Sequence, residues 1–168
     1  QNSDLFYFTG SIQQGVYYLP AEGEPVYLVR KDFGRARMES GLKNVLPLTN
    51  LRQLFDQLRS LNIPLPKRVG MEMDVLPVQH FYRFRDLVAP AEVVDASFLL
   101  RQVRAVKSDY EISIMKDCAL IMDKVFQHAK EVIGAGKTDI EVLAELECFS
   151  RKEGHQGIAR FRGFNSEI

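Results

Sequence analysis

Tryptophan is absent from the chain, and cysteine occurs only twice, at Cys118 and Cys148. The two are 30 residues apart with no CxxC spacing, so a disulfide or a zinc site stands only as the alternative to two free thiols. Both fall in segments with helical patterning, so the expectation is two reduced, buried thiols in a reducing, cytoplasmic compartment. Charge of one sign is not in excess: Lys+Arg and Asp+Glu are each 22, for a formal net charge of zero. That balance argues against a nucleic-acid partner and against an acidic or basic interaction tail. No run reaches the ~18 apolar residues of a membrane span, and the first residues lack the basic region and apolar run of a signal peptide. Internal repeats and low-complexity segments are absent too. The chain has no starting Met, opens on Gln1-Asn2-Ser3-Asp4 directly before an aromatic run, and stops at Gly163-Phe164-Asn165-Ser166-Glu167-Ile168 without a helix-end signal. It therefore reads as a fragment or as the ordered part of a longer chain.

What is present is an ordinary globular composition, 46% hydrophobic and 26% charged over 168 residues, enough for one sizeable domain and a smaller unit. The aromatic run Leu5-Phe6-Tyr7-Phe8-Thr9-Gly10 reads as a short strand or turn approach. Val16–Leu19 and Val26–Val29 are β-rich runs separated by Pro20-Ala21-Glu22-Gly23-Glu24-Pro25, a hairpin pattern. Thr49 or Asn50 caps a helix carrying Leu51, Leu54, Phe55, Leu58 and Leu61 on one face. Val69–Met73 reads as a strand, and Asp74 as the start of a helix that tolerates Pro77 and turns Val78, Phe81 and Tyr82 inward. Val93-Val94-Asp95 is a further short strand. Strands alternating with helices imply an α/β sheet with helices packed on it.

Past Ala96 the pattern becomes helical. Ser108-Asp109-Tyr110-Glu111 and Thr138-Asp139-Ile140-Glu141 are both capping boxes. The first opens a long amphipathic helix with Ile112, Met115, Ala119, Met122, Phe126, Ala129 and Ile133 on its apolar face, ended by Gly134-Ala135-Gly136. The second opens a helix with Ile140, Leu143 and Leu146, ending near Gly154. The two apolar stripes are expected to pack against each other or on the preceding domain, with part of the surface left exposed. The division of the chain is expected at 1–98 and 99–168.

The run Leu100–Ile112, with Arg104-Ala105-Val106-Lys107-Ser108 followed by Glu111-Ile112, resembles the start of the catalytic pita-bread domain of creatinase/prolidase-type (Xaa-Pro) metallopeptidases. Gly136-Lys137-Thr138-Asp139-Ile140-Glu141 is similar to that family's link into its second helix, with Asp139 where Glu is usual. Upstream, Tyr7-Phe8-Thr9-Gly10 resembles the Tyr-x-Thr-Gly segment of the family's N-terminal domain, and the hairpin followed by Arg30-Lys31-Asp32 fits the same domain. The resemblance implies a mixed sheet flanked by helices, ribonuclease H-like, followed by the first helices of a truncated pita-bread domain. It also implies a parent that hydrolyses peptide bonds next to proline, with two divalent metal ions (Mn, Co or Zn), a peptide substrate and a homodimeric assembly. The N-terminal domain would gate substrate and contribute to the dimer contact. All the family's metal ligands fall beyond Ile168, so no metal ligand and no catalytic residue is assigned in this chain, which by itself is expected to be inactive. Two other readings share the fold: a metal-free amidinohydrolase of creatinase type, and a catalytically inactive peptide- or protein-binding module.

Five residues are candidates for a substrate cleft, each against a structural alternative. Phe6 and Tyr7 belong to the Tyr-x-Thr-Gly segment, which lies near the cleft in the family, although aromatic clusters ordinarily serve packing. His155, in Gly154-His155-Gln156-Gly157, is a pocket residue or a hydrogen-bonded loop histidine. Arg160 and Arg162 alternate with Phe161 in a strand-like run; an arginine suits a substrate carboxylate, and equally a surface ion pair. His128 is expected to be solvated on the polar side of the long helix, His80 to be partly buried, and Lys31, Arg35 and Arg37 to form a solvated charged loop.

Overall fold

Val26-Tyr27-Leu28-Val29 is the run of highest β propensity in the first half of the chain, and in the computed structural model, which describes residues 1–157, it is the central strand of a three-stranded sheet. All four residues are buried. A strand covered on both faces reads as a continuous apolar run, with its side chains alternating between two cores. Val26 and Leu28 join Leu48, Leu54 and Leu58 on one face. Tyr27 and Val29 join Ala36 and Val45 on the other, with Leu5 and Leu42 against them.

Strand β1 (Gly15–Tyr18) pairs antiparallel with β2 (Val26–Val29) in the register Gly15↔Val29 to Tyr18↔Val26, which is the hairpin that the sequence pattern indicates. On the other side β2 pairs in parallel with β3 (Asn44–Pro47). A proline is tolerated at the last position of such an outer strand because no further ladder bond is asked of its nitrogen. Between β2 and β3 lies α2 (Phe33–Glu39), capped by Asp32, whose side chain accepts from the Arg35 N–H. This segment, expected as a charged loop, forms a helix that buries Ala36 against the sheet.

The aromatic run at the start is a helix, α1 (Asn2–Thr9), and not a strand. Gly10, at φ 76°, closes it in the left-handed conformation, with its N–H on the Phe6 carbonyl. Leu5 reaches the Tyr27/Val29 core from this helix. Packing and the glycine stop outweigh the β propensity of Phe6-Tyr7-Phe8, which is a weak, context-dependent preference.

After β3, Asn50 caps a single turn of 3₁₀ helix, Leu51–Gln53, by accepting from the Arg52 N–H at 3.0 Å. The helix α3 (Leu54–Ser60) follows and buries Leu54 and Leu58. Strands β4 (Arg68–Met71) and β5 (Glu92–Asp95) form a separate two-stranded parallel sheet, with α4 (Val78–Val88) as its crossover. Leu87 of α4 packs on the Val26/Leu28 core. Helix α4 starts four residues later than the Asp74 cap suggests, because the residue before a proline is pushed out of the helical region and Pro77 becomes the N-cap. Val78 and Tyr82 are exposed rather than inward-facing, and so is His80; Val88 is the buried residue of this helix. Tyr82 instead carries the Arg85 guanidinium 5.0 Å above its ring.

The described residues form two compact units, the first Gln1–Leu100 and the second 101–157; the division falls within α5 (Ser97–Ala105). The second unit contains α6 (Asp109–Val132) and α7 (Asp139–Lys152). Both capping boxes are formed: Ser108 and Thr138 each accept from the N–H three residues on at 3.3 Å, and Glu111 and Glu141 each accept from the cap N–H at 2.8 Å. Lys124 pairs with Glu153, and His128 stacks on Phe149 with centroids 4.2 Å apart. The descending order of these contacts makes the helices antiparallel.

His128 is thus a packing residue and not a solvated one. Its flat ring covers Phe149, while Nδ1 lies 3.3 Å from a Glu131 carboxylate oxygen. Cys118 and Cys148 are free, as expected, but exposed rather than buried. The shielded face of α6 carries Ile121, Val125, His128 and Val132. The stripe of Ile112, Met115, Met122, Phe126 and Ile133 is exposed.

Candidate functional site

The candidate site begins with α1, whose closing turn is held by several side-chain hydrogen bonds. The Thr9 hydroxyl lies 2.7 Å from the Leu5 carbonyl and 2.9 Å from that of Ser11, and accepts from the Ser11 N–H at 3.1 Å. Asp4, Thr9 and Ser11 are all buried. The Ser11 hydroxyl donates to Glu39 Oε2 at 2.6 Å, and Arg35 Nε donates to Glu39 Oε1 at 2.6 Å. Tyr27 donates its hydroxyl hydrogen to the Gln13 carbonyl. Glu39 therefore ties the end of α2 to the turn that ends α1. Gly10 sits in the same junction, where a Cβ would meet the Glu39 carbonyl oxygen at 3.2 Å.

That turn orients the aromatic residues. Phe8 stacks on Tyr17 of β1 with centroids 5.4 Å apart and planes 10° apart, and Tyr7 meets Phe8 edge-on at 5.0 Å. Phe6 and Tyr7 are left 58% and 36% exposed. The helix thus presents a small aromatic surface held from behind by Phe8, Leu5 and the Thr9–Ser11 turn. Burial raises the pKa of Tyr17, Tyr18 and Tyr27, so all three phenols are neutral at pH 7 and serve as packing and hydrogen-bonding groups.

The other candidates stand elsewhere. His155 belongs to the second unit, just past α7, and is exposed; its Nδ1 accepts from the Gly157 N–H at 3.0 Å and its own N–H donates to the Ser150 carbonyl at 2.9 Å. Arg160 and Arg162 lie outside the described residues. Of the basic loop, Arg35 is committed to Glu39, and Arg37 donates to the Lys43 carbonyl at 3.1 Å. The Ser11–Glu39–Arg35 group was not legible in the sequence. The Arg35/Glu39 spacing is a helical i,i+4 pair once α2 is known, but Ser11 is 28 residues away and only the fold brings it in.

The Glu39 carboxyl is held below its ordinary value of 4.5, first by the Ser11 hydroxyl and then by Arg35. A depressed folded-state pKa contributes stability that is present above the ordinary value and lost as pH falls through the lower folded value. Stability of the first unit is therefore expected to fall below pH 4.5 in a step that Glu39→Gln removes. Urea midpoints measured by tyrosine fluorescence across this range check it; identical acid slopes for the two proteins would contradict it.

Among the described residues, no three or more His, Cys, Asp or Glu come together as a metal-holding group, and no helix is long and apolar enough to cross a membrane.

A mixed α/β unit with an antiparallel hairpin, a parallel outer strand and a separate βαβ element, followed by a capped helix pair, defines the class. The chain belongs to the creatinase/prolidase family: the model of the creatinase/prolidase N-terminal domain matches residues 1–106. A stretch of 78 residues is 36% identical to an uncharacterised hydrolase/peptidase of Sinorhizobium fredii, covering 46% of this chain and 20% of that protein. The Xaa-Pro dipeptidase of Pyrococcus horikoshii is 24% identical over 156 residues, which is 92% of this chain and 42% of the relative. In three dimensions the chain is similar to the Xaa-Pro dipeptidase of Bacillus anthracis, with a TM-score of 0.81 and 24% identity over 95% of this chain and 45% of that one. The chain thus spans less than half the length of these relatives.

Proposed function

We propose that this chain is the N-terminal part of a metal-dependent Xaa-Pro aminopeptidase or dipeptidase, in which the first unit gates substrate and contributes to a homodimer contact. The observation that carries the reading is the extent of the match: an Xaa-Pro dipeptidase aligns along 92% of this chain while 42% of that protein is covered. The two unpaired cysteines accord with a cytoplasmic location.

The described residues do not offer a donor set for the metal pair of this reading, so its ligands would have to come from a longer polypeptide. The metal pair would activate water and polarise the scissile carbonyl. What the present residues do is bind and orient. The exposed Phe6 ring beside Tyr7 offers a rigid apolar surface to a proline-containing peptide, and the hydrogen bonds of Thr9 with Leu5 and Ser11, and of Ser11 with Glu39, hold that surface still.

Hydrolysis of Xaa-Pro dipeptides with added Mn or Co tests the reading, on the 168-residue chain and on a polypeptide continued to the length of its relatives. The expected result is metal-stimulated cleavage by the longer polypeptide and none by the shorter, with intact mass confirming each species. In the longer polypeptide Phe6→Ala is expected to raise KM with kcat held. Metal-independent hydrolysis of creatine, or failure of the longer polypeptide to cleave Xaa-Pro bonds, would contradict it.

A further inference from the structure

The connection between α1 and β1 is fastened in two places. From Gln13 onward it belongs to the sheet: Tyr27 donates its hydroxyl hydrogen to the Gln13 carbonyl, and the Gln14 carbonyl accepts from the Arg30 and Lys31 N–H groups at 2.7 and 3.3 Å. Up to Ser11 it belongs to α1, because the Thr9 hydroxyl accepts from the Ser11 N–H. Ser11 is the joint, its hydroxyl oxygen accepting from the Gln13 N–H at 3.3 Å. Glu39 holds this joint to α2. Its Oε2 takes the Ser11 hydroxyl and its Oε1 takes Arg35 Nε, each at 2.6 Å, so both bonds are charge-assisted. Ser11 is buried, whereas the Glu39 side chain is 29% exposed and open to solvent protons.

Helix α1 is lightly packed beside the sheet it covers. Leu5 joins the Tyr27/Val29 core from its edge, and Phe8 stacks on Tyr17. The Val26/Leu28 core on the other face takes no side chain from α1. A short element with few buried contacts opens at lower cost than the sheet behind it. The groups that face Glu39 are Arg35, with Asp32 behind it, on its own helix and cap, Ser11 and Gln13 from the connection, and Tyr27 from β2. Two further carboxylates lie at α1: Asp4, which is buried, and Glu72, which takes the Gln1 amine at 3.3 Å. The Glu39 carboxyl lies below its ordinary 4.5, through Ser11 first and Arg35 second, so its ties are present above that value and are lost as pH falls through the lower folded one.

We infer that Glu39 is a proton-operated latch on α1: protonation of its carboxylate frees the joint at Ser11, and α1 with Phe6 and Tyr7 loosens while the three-stranded sheet stays folded. The inference stands apart from the enzymatic reading above. Hydrogen exchange of the 168-residue chain, read by mass spectrometry from about pH 6 to about pH 3.5, tests it. Glu39→Gln is the reference at each pH, since its amide oxygen can still accept from Ser11 but does not titrate. The intrinsic pH dependence of exchange, and the titration of Asp4 and Glu72, are common to both chains and cancel. Exchange of Asn2–Thr9 in the unaltered chain, relative to E39Q, is expected to rise about threefold or more over this range, while the same ratio for Leu54–Ser60 holds constant. Ser11→Ala, which takes away the hydroxyl donor, is expected to raise exchange of α1 already at the upper pH and to abolish the step. A ratio that does not change with pH, an equal rise in α3, or a step that Ser11→Ala retains would each overturn the inference.

Discussion

Gly15→Ala is expected to destabilise the first unit by about 3 kcal/mol or more, the upper end of what overpacking a well-packed site costs. Gly15 opens β1 opposite Val29. A Cβ there would run into the backbone carbonyl oxygen of Leu28 and come within 2.8 Å of Tyr27 Cε2. Neither neighbour has room to yield. Leu28 belongs to the central strand, and the Tyr27 ring is fixed by its hydroxyl on the Gln13 carbonyl and by burial in the Ala36/Val45 core. The collision therefore splits the β1–β2 ladder or drives Tyr27 out, and either costs several contacts at once. All tyrosines except Tyr110 belong to the first unit, so tyrosine fluorescence in urea follows this unit. Gly41→Ala is the control: nothing lies within 4 Å of a Cβ there, and the change is expected to stay within about 0.5 kcal/mol. Equal midpoints for the two variants would show that the β1–β2 contact is looser than described.

Leu58→Ala is the second large effect, with an expected loss of about 3 kcal/mol at unchanged m-value. Leu58 is fully buried on α3 and packs with Val26, Leu28, Leu48 and Leu54. Truncation removes the transfer energy of the lost carbons and leaves a cavity. The surrounding side chains come from β2, β3's end and α3 itself, so closing that cavity would require the sheet and the helix to move together. The comparison site is Leu61, which is only partly buried at the edge of the same core. Leu61→Ala should cost clearly less. A Leu58 effect no larger than that of Leu61 would place the centre of the core elsewhere.

The parts of this protein that were legible in the sequence are those written within a few residues of themselves. Ser108/Glu111 and Thr138/Glu141 announce their helices because each cap bond closes across three positions. The β1–β2 hairpin is announced by two β-rich runs and a Pro/Gly loop, and the β2 strand by four apolar residues in succession. The family resemblance worked in the same way, through short motifs in order, and the domain match bears it out.

The misreadings have one physical source, contacts made at long separation. Leu5-Phe6-Tyr7-Phe8 has strand-forming residues, but Leu5 is held in a core built around β2, and the chain there is helical. The short strand β3 and helix α2 carry little periodicity of their own; pairing with β2 and burial of Ala36 create them. His128 looked solvated because its neighbours in sequence are polar, yet its ring faces Phe149 on another helix. Cys118 and Cys148 looked buried by residue type and are exposed by position.

By itself, then, the sequence determined the α/β class, the capped helix pair, the hairpin and the family, because capping, turn chemistry and hydrophobic period are local interactions. Only the tertiary structure decided that α1 is a helix with Phe6 and Tyr7 outward, that Ser11, Arg35 and Glu39 meet, and that the apolar seam of α6 is not the face α7 covers. Those outcomes depend on which distant side chains share a core, and that is settled by packing across the fold rather than by any one segment's preference.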